Sequence, residues 1–374
     1  MGLESIEIDP FQHVETEPLG RGNSEVWKVQ HEHDRNLYAR KEFKGSREDD
    51  EDLKRKIRKE IDIIVKSQHH HVVEFCGSHH ITSTNLFGIL LRPIADMSLE
   101  QFFVRFVGLG NEEPKRQEVC RTMCQWPACL FHALGCLHDA GIRHKDIKPS
   151  NILIKDDRVF LTDFGISRDF RDSTTSKTQD PKVANTPPPE IDNDQPRGRA
   201  ADVWSLGCTV LEICTLATGQ NSIVNLNEHL HQAYGGSRPS FCQSPYLVLD
   251  WIMLLLGAPG QDSIIGPNIQ KMLQLTFLML DPNPRRRITA RQLVDMLVQQ
   301  GSKYFNPIKH LACGKCQHTF SVPSHNMPLH SVFKEEDGGG IYLPSTTLLS
   351  AETRDLWEEV KRRWLKSRQP QVVD

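Results

Sequence analysis

The chain has 374 residues, 38% of them hydrophobic and 25% charged, a balance that excludes a largely disordered polymer and exceeds what one small core requires. A net charge of −3 gives no electrostatic reason to expect nucleic acid as a partner. Ten cysteines are scattered without the framework of a small secreted domain, so reduced thiols and a cytoplasmic or nuclear setting are expected.

The first residues lack the basic and apolar segments of a secretory signal, and Ile6 stands where a myristoylation pattern needs Ser or Thr. No apolar run is expected to span a bilayer. Residues 1–12 read as a polar lead-in. Leu19 to Gln30 alternates apolar and polar around Gly20 and Gly22, which predicts strand, turn, strand. Leu37 to Phe43 predicts a further strand. Glu48 to Gln68 is charged, with Leu53, Ile57, Ile61 and Ile64 at helical spacing, and predicts an amphipathic helix. Leu86 to Leu91 is a short apolar strand. From Met97 the pattern turns helical, with one long helix expected over Gln117 to Ala140, kinked or started late by Pro127. Short strands are expected around Ile152 to Ile154 and Val159 to Leu161, a Pro-rich loop from Asp169 to Arg199, a buried helix over Ala201 to Leu216, and further helices to about Gln300. The expected division is a lead-in over 1–12, a catalytic unit over 13–300 with a β-rich lobe to about 92 and a helical lobe over 93–300, and a tail over 301–374.

Chemistry concentrates in a few short runs. His144-Lys145-Asp146-Ile147-Lys148-Pro149-Ser150-Asn151 falls between a predicted helix and a predicted strand. It carries a carboxylate, a cation two residues on and an amide oxygen, groups suited to a hydroxyl proton, an anion and a hard cation. Asp163-Phe164-Gly165 follows the predicted strand pair. Lys41 ends Tyr38-Ala39-Arg40-Lys41, Glu60 lies on the charged helix, and His69-His70-His71-Val72-Val73 follows it. Further on stand Pro188-Pro189-Glu190 and Asp202-Val203-Trp204-Ser205-Leu206-Gly207.

This ordered set, from about Leu19 to Leu297, resembles the eukaryotic protein kinase superfamily, and Lys148-Pro149 resembles its Ser/Thr branch. The resemblance implies an α+β, two-lobed fold that uses ATP and Mg²⁺ and a protein substrate with a Ser or Thr acceptor, with neither nucleic acid nor membrane as partner. It implies Asp146 as the catalytic base, Lys148 on the transferring phosphate, and Lys41 on the α- and β-phosphates with Glu60 as its partner. Asn151 and Asp163 would hold Mg²⁺, and Leu19, Gly20, Gly22, Val26, Ala39, Leu91, Asp96 and Leu153 would line the nucleotide site, Asp96 at the ribose. Asp202 would brace the catalytic loop. Glu190 would pair with Arg287, or with Arg285, and Ser173, Thr174, Thr175, Ser176 and Thr178 would carry activating phosphates.

The sequence also departs from the family. The glycine loop is one residue short and lacks its third glycine. With Leu90 as gatekeeper, Pro93 takes the position that donates a backbone N–H, which leaves the adenine one hinge bond, to the Leu91 carbonyl. Lys145 replaces an arginine, and Asn185-Thr186-Pro187 is a worn form of G-T-P. These departures keep open an alternative, a pseudokinase acting as a nucleotide-binding or scaffold module. Leu91 to Asp96 is similar to the hinge of kinases from filamentous fungi. In the tail, Cys313-Gly314-Lys315-Cys316 precedes His318, His325 and His330, so zinc held by Cys313, Cys316, His325 and His330 stands beside the alternative of plain loop residues. Ser350 to Lys366 predicts a capped helix with Leu356, Val360 and Trp364 on one face, either docked on the large lobe or bound to a partner.

Overall fold

The computed structural model describes residues 3–21, 24–45, 51–108, 113–165, 168–169, 188–189, 198–218, 223–231, 241, 245–257, 265–298, 312–318, 333–336, 341–344 and 358. Its first part is a seven-stranded sheet built from β1 (Glu4–Ile6), β2 (Phe11–His13), β3 (Gly20–Arg21), β4 (Glu25–His31), β5 (Leu37–Lys44), β6 (Glu74–Ile81) and β7 (Leu86–Arg92), with α1 (Glu51–Lys66) between β5 and β6. The strand order is β1-β6-β7-β5-β4-β2, with β3 paired to β4.

Within residues 1–12, expected as a lead-in, lie β1 and all of β2 but His13, both strands of this sheet. β1 runs parallel to β6, and β2 pairs antiparallel with β4. The anchors are side chains that lie far apart in sequence. Arg40, 2% exposed, donates to both Asp9 oxygens at 2.9 and 2.8 Å, and its Nε donates to Glu42 at 2.8 Å. Phe11 stacks on His79 with ring centroids 5.0 Å apart.

Alternation along the central strands decides what faces the site. Antiparallel partners project on the same side. Val26 lies opposite Lys41, Lys41 opposite Ile89, and Ala39 opposite Leu91, so Val26, Ala39, Lys41, Ile89 and Leu91 share one face. Arg40 and Leu90 oppose each other on the other face. α1 carries Glu51 and Asp52 in its first turn and Lys66 in its last, charges that complement the helix dipole. Its buried stripe of Ile57, Ile61 and Ile64 presses Glu60 inward with it.

β8 (Met97–Ser98) leads into the helical part through α2 (Leu99–Gly108) and α3 (Glu113–Met123). The single helix expected over Gln117 to Ala140 is two. The chain breaks after α3, and α4 (Trp126–Asp139) starts with Pro127 in its first turn, where the missing N–H costs nothing. After β9 (Ile142–Arg143) come a short 3₁₀ turn (Pro149–Asn151), β10 (Ile152–Lys155), β11 (Arg158–Leu161) and β12 (Arg168–Asp169). β8, β10 and β11 form a small sheet.

α5 (Arg199–Ala217) has 19 residues and, against expectation, is long and apolar enough to cross a membrane by length and composition; 89% of its apolar stretch is buried inside the protein, as in a core helix. A Cβ on Gly207 would sit 2.9 Å from the Met279 Cβ and 3.0 Å from Leu280, so the glycine sets how closely α5 meets the chain that follows it. The remaining helices are α6 (Ile223–His231), α7 (Pro245–Gly257), α8 (Ile265–Met279), α9 (Ala290–Val298) and α10 (Gly314–His318), and β13 (Phe333–Glu336) pairs with β14 (Ile341–Pro344). The described cysteines are free thiols.

Candidate active site

Two strained residues bracket the site. Lys145 has φ 71° and Asp163 has φ 63°, a region that costs on the order of 1–3 kcal/mol for a residue with a side chain. The strain at Lys145 is held by Asp202 on α5. Its carboxylate accepts the His144 N–H at 2.9 Å, the Lys145 N–H at 2.7 Å and the His138 ring N–H at 3.0 Å. Burial would raise the Asp202 pKa, but these donors hold it below 3.8, so it stays a carboxylate. His144 spans the two bracketing segments. Its Nε2 donates to the Thr162 carbonyl at 2.9 Å, and its ring lies 4.9 Å from that of the buried Phe164. Burial pulls its imidazole below the ordinary histidine value, against the nearby Asp202, Asp146 and Asp163.

The loop that Asp202 holds presents Asp146. One carboxylate oxygen accepts Lys148 Nζ at 2.8 Å and Asn151 Nδ2 at 2.8 Å. The other, Oδ1, is buried and meets no donor among the described residues. Asn151 Nδ2 also donates to the Asp146 carbonyl at 2.9 Å, so both of its contacts to Asp146 use the amide nitrogen.

Across from this loop, Lys41 Nζ donates to Glu60 Oε1 at 2.7 Å and to Asp163 Oδ1 at 2.9 Å. Burial opposes the Lys41 charge, but Glu60 and Asp163 raise its pKa above 10.5. Burial likewise raises Glu60 above 4.5, with Lys41 opposing, so each charge depends on the other. Asp163 is pushed up by burial and pulled down further by Lys41, ending below 3.8. Gly165 borders this corner: a Cβ there would lie in ordinary contact with Asp163 Oδ1, at 3.4 Å, and Glu60 Oε2, at 3.5 Å. Lys41, Glu60, Asp146, Lys148, Asn151 and Asp163 are thus brought into two facing clusters. They offer carboxylate and amide oxygens, the hard donors that suit Mg²⁺, and one buried oxygen without a partner among the described residues.

Leu19, Val26, Ala39, Leu91 and Leu153 belong to, or pack against, one apolar cluster. Leu19 donates its N–H to the Val26 carbonyl at 2.7 Å, which extends the pairing of β3 with β4. A Cβ at Gly20 would meet no protein atom within 4 Å, so packing inside the protein does not require the glycine. Gly22 lies outside the described residues, as do Asn185, Thr186, Pro187, Glu190, Ser173, Thr174, Thr175, Ser176 and Thr178.

Two sequence expectations need correction. Leu90, read as gatekeeper, shares its face with Arg40, and Leu91 is the one on the Lys41 face. Asp96, read as the ribose contact, is an exposed turn residue whose carboxylate is taken by Lys155 Nζ at 2.7 Å and the Asp156 N–H at 3.2 Å. The tail pattern is also rearranged. Cys313 and Cys316 meet His70 and His71, and His325 and His330 lie outside the described residues, as does the expected C-terminal helix apart from Glu358. Sequence reasoning missed His70 and His71 as partners of the tail; the only local signal is the run of adjacent histidines.

A two-lobed α+β architecture with Lys41, Glu60, Asp146, Asn151 and Asp163 so disposed defines a class. The chain matches the protein kinase domain family over residues 13–298, and it belongs to that family. Among individual proteins it is similar to the serine/threonine-protein kinase crk1 of Schizosaccharomyces pombe, at 27% identity over 77% of this chain and 84% of that protein. It is also similar to human mitogen-activated protein kinase kinase kinase 6, at 27% identity over 81% of this chain, and to the G2-specific protein kinase fin1 of Schizosaccharomyces pombe, at 29% identity over 54%. The matched regions span only 22% and 30% of those last two proteins.

Proposed function

We propose that the chain transfers the γ-phosphoryl group of ATP to Ser or Thr hydroxyls of protein substrates. The observation that carries this reading is the buried Oδ1 of Asp146, which has no partner among the described residues and lies on the carboxylate that Lys148 holds, as suits a group that takes up the hydroxyl proton. The acceptor oxygen forms a bond to the γ-phosphorus, the bond from that phosphorus to the bridging oxygen breaks, ADP leaves, and the proton goes to Asp146. Lys148 neutralises charge on the transferring group. Lys41, positioned by Glu60, meets the α- and β-phosphates. When bound, Mg²⁺ neutralises charge on the phosphate oxygens, with Asp163 and the Asn151 side-chain oxygen as the ligands that would hold it.

The face carrying Val26, Ala39 and Leu91, with Leu19 and Leu153, is the apolar bed for the adenine. With Leu91 taken as gatekeeper, each hinge position moves on by one residue. The Arg92 carbonyl and the Ile94 N–H become the two adenine contacts, and Pro93 falls between them, so the missing proline N–H no longer costs a hinge bond. The close approach allowed by Gly20 serves the phosphates. The reading is tested by calorimetric titration of ATP with and without Mg²⁺. Wild type should bind ATP more tightly with Mg²⁺, and Asp163→Asn should lose that gain; the same Mg²⁺ response in both proteins contradicts it.

A further inference from the structure

Four side chains with metal-ligand atoms converge from two distant parts of the sequence. His70 and His71 lie in the turn between α1 and β6, and Cys313 and Cys316 flank the start of α10. Their ligand atoms all lie within 4.8 Å of one another. His70 Nε2 is 3.1 Å from Cys316 Sγ and 3.7 Å from Cys313 Sγ, and His71 Nε2 is 3.1 Å from Cys313 Sγ. A tetrahedral zinc ion with Zn–N of about 2.0–2.1 Å and Zn–S of about 2.3 Å holds nitrogen and sulfur about 3.5 Å apart. The observed separations fall on either side of that value.

The surroundings favour a metal over a chance encounter. His71 Nδ1 donates its proton to the Val159 carbonyl at 2.6 Å, which fixes the tautomer and leaves the Nε2 lone pair facing Cys313. This backbone brace on a histidine is the outer support that metal-bound imidazoles have. The His70 carbonyl is braced in turn by Arg158 at 3.0 Å. Cys313 and Cys316 have the two-residue separation that lets both sulfurs of one turn reach one ion. The Cys313 N–H donates to Cys129 Sγ at 3.3 Å, which seats the tail turn against α4. His71 and Cys316 are 1% and 0% exposed while His70 and Cys313 are half-buried, and four protein ligands fill a tetrahedral ion, as in structural rather than catalytic zinc sites.

We propose that His70, His71, Cys313 and Cys316 hold a structural Zn²⁺ that ties the tail to the turn at the end of α1. The same turn is joined to β11, where the Leu161 N–H donates to the His71 carbonyl at 2.8 Å and the Val73 N–H donates to the Leu161 carbonyl at 3.0 Å. The clamp therefore touches both the helix that carries Glu60 and the strand that leads to Asp163.

The test is elemental analysis of the full chain purified without chelator. Wild type should carry one zinc per chain, Cys316→Ser and the double variant His70→Ala/His71→Ala should lose it, and His325→Ala/His330→Ala should keep it. Exchange of the wild-type metal for Co²⁺ guards against variants that fail to fold; it should give the visible absorption of tetrahedral cobalt with a thiolate charge-transfer band. Three results overturn the proposal: wild type free of zinc, a cobalt spectrum without the thiolate band, or zinc that survives in His70→Ala/His71→Ala and is lost in His325→Ala/His330→Ala. The last would put the ligands in the tail alone.

Discussion

Asp146 holds two different oxygens in one carboxylate. Oδ2 is fixed by Lys148 and Asn151, and Oδ1 is buried with no partner among the described residues, a state that costs free energy in a resting protein. A group kept that way is poised for a proton. Asp146→Asn removes the proton acceptor while leaving Lys41 and Asp163 in place. Turnover should fall by about 10²- to 10⁴-fold with ATP affinity within a few-fold of wild type; steady-state kinetics with nucleotide titration checks both, and turnover within tenfold of wild type would remove Asp146 from its role. Lys41 and Glu60 depend on each other in the same way. Lys41→Met leaves Glu60 buried without its cation, and burial then favours the protonated acid. Such residues were readable from sequence because each sits in a short run that resembles a kinase motif, although the partners of Lys41 lie 19 and 122 residues away. Asp96 was not, since its carboxylate answers to Lys155 and Asp156 across a turn that spacing does not disclose.

At the scale of elements, one residue of register separates two accounts of the nucleotide site. Ile89, Leu90 and Leu91 of β7 all fit a strand buried on both faces, so composition offers no choice among them. Pairing with β5 makes the choice, by setting Leu91 opposite Ala39. Leu91→Ala should therefore admit an ATP analogue enlarged at its adenine edge, and Leu90→Ala should not, although both cost about 2–5 kcal/mol of stability as large-to-small changes. Competition binding with the analogue decides it, and the reverse preference restores the Leu90 register. Asp202 on α5 gives a second prediction. Its folded pKa is depressed, so its contribution to stability is complete above about pH 4 and is lost as pH falls through the folded value, below 3.8. The stability gap between wild type and Asp202→Ala should be on the order of 3 kcal/mol at neutral pH, because two backbone N–H groups lose a charged acceptor, and should close on acidification. Urea unfolding at several pH values measures it; a gap that widens below about pH 4 contradicts the assignment. The split of α3 from α4 was half legible: Pro127 signalled a boundary, but not that the helix before it would end at Met123.

For the whole molecule, segments on both sides of the kinase unit fold back onto it. The strands at Glu4–Ile6 and Phe11–His13 extend the sheet, and the turn at Cys313 and Cys316 reaches the base of α1. Neither was legible, because three-residue strands carry no periodicity and a contact across some 240 positions leaves no local trace. Deleting residues 1–12 should destabilise the protein by about 3 kcal/mol, since Arg40 loses both bonds to Asp9 and the ring of Phe11 that covers it, and keeps only Glu42 and His13 as partners among the described residues. A denaturation midpoint unchanged by the deletion would show that the segment only lies on the sheet. The central claim, that this kinase fold carries out phosphoryl transfer, is reached most directly by one measurement: transfer of label from γ-labelled ATP, with Mg²⁺, to a mixed protein acceptor, followed by identification of the phosphorylated amino acid, for wild type beside Asp163→Ala. The account predicts label on serine or threonine in wild type and a loss of about 10²-fold or more in the variant. Label no greater in wild type than in Asp163→Ala, or label confined to tyrosine, would contradict it.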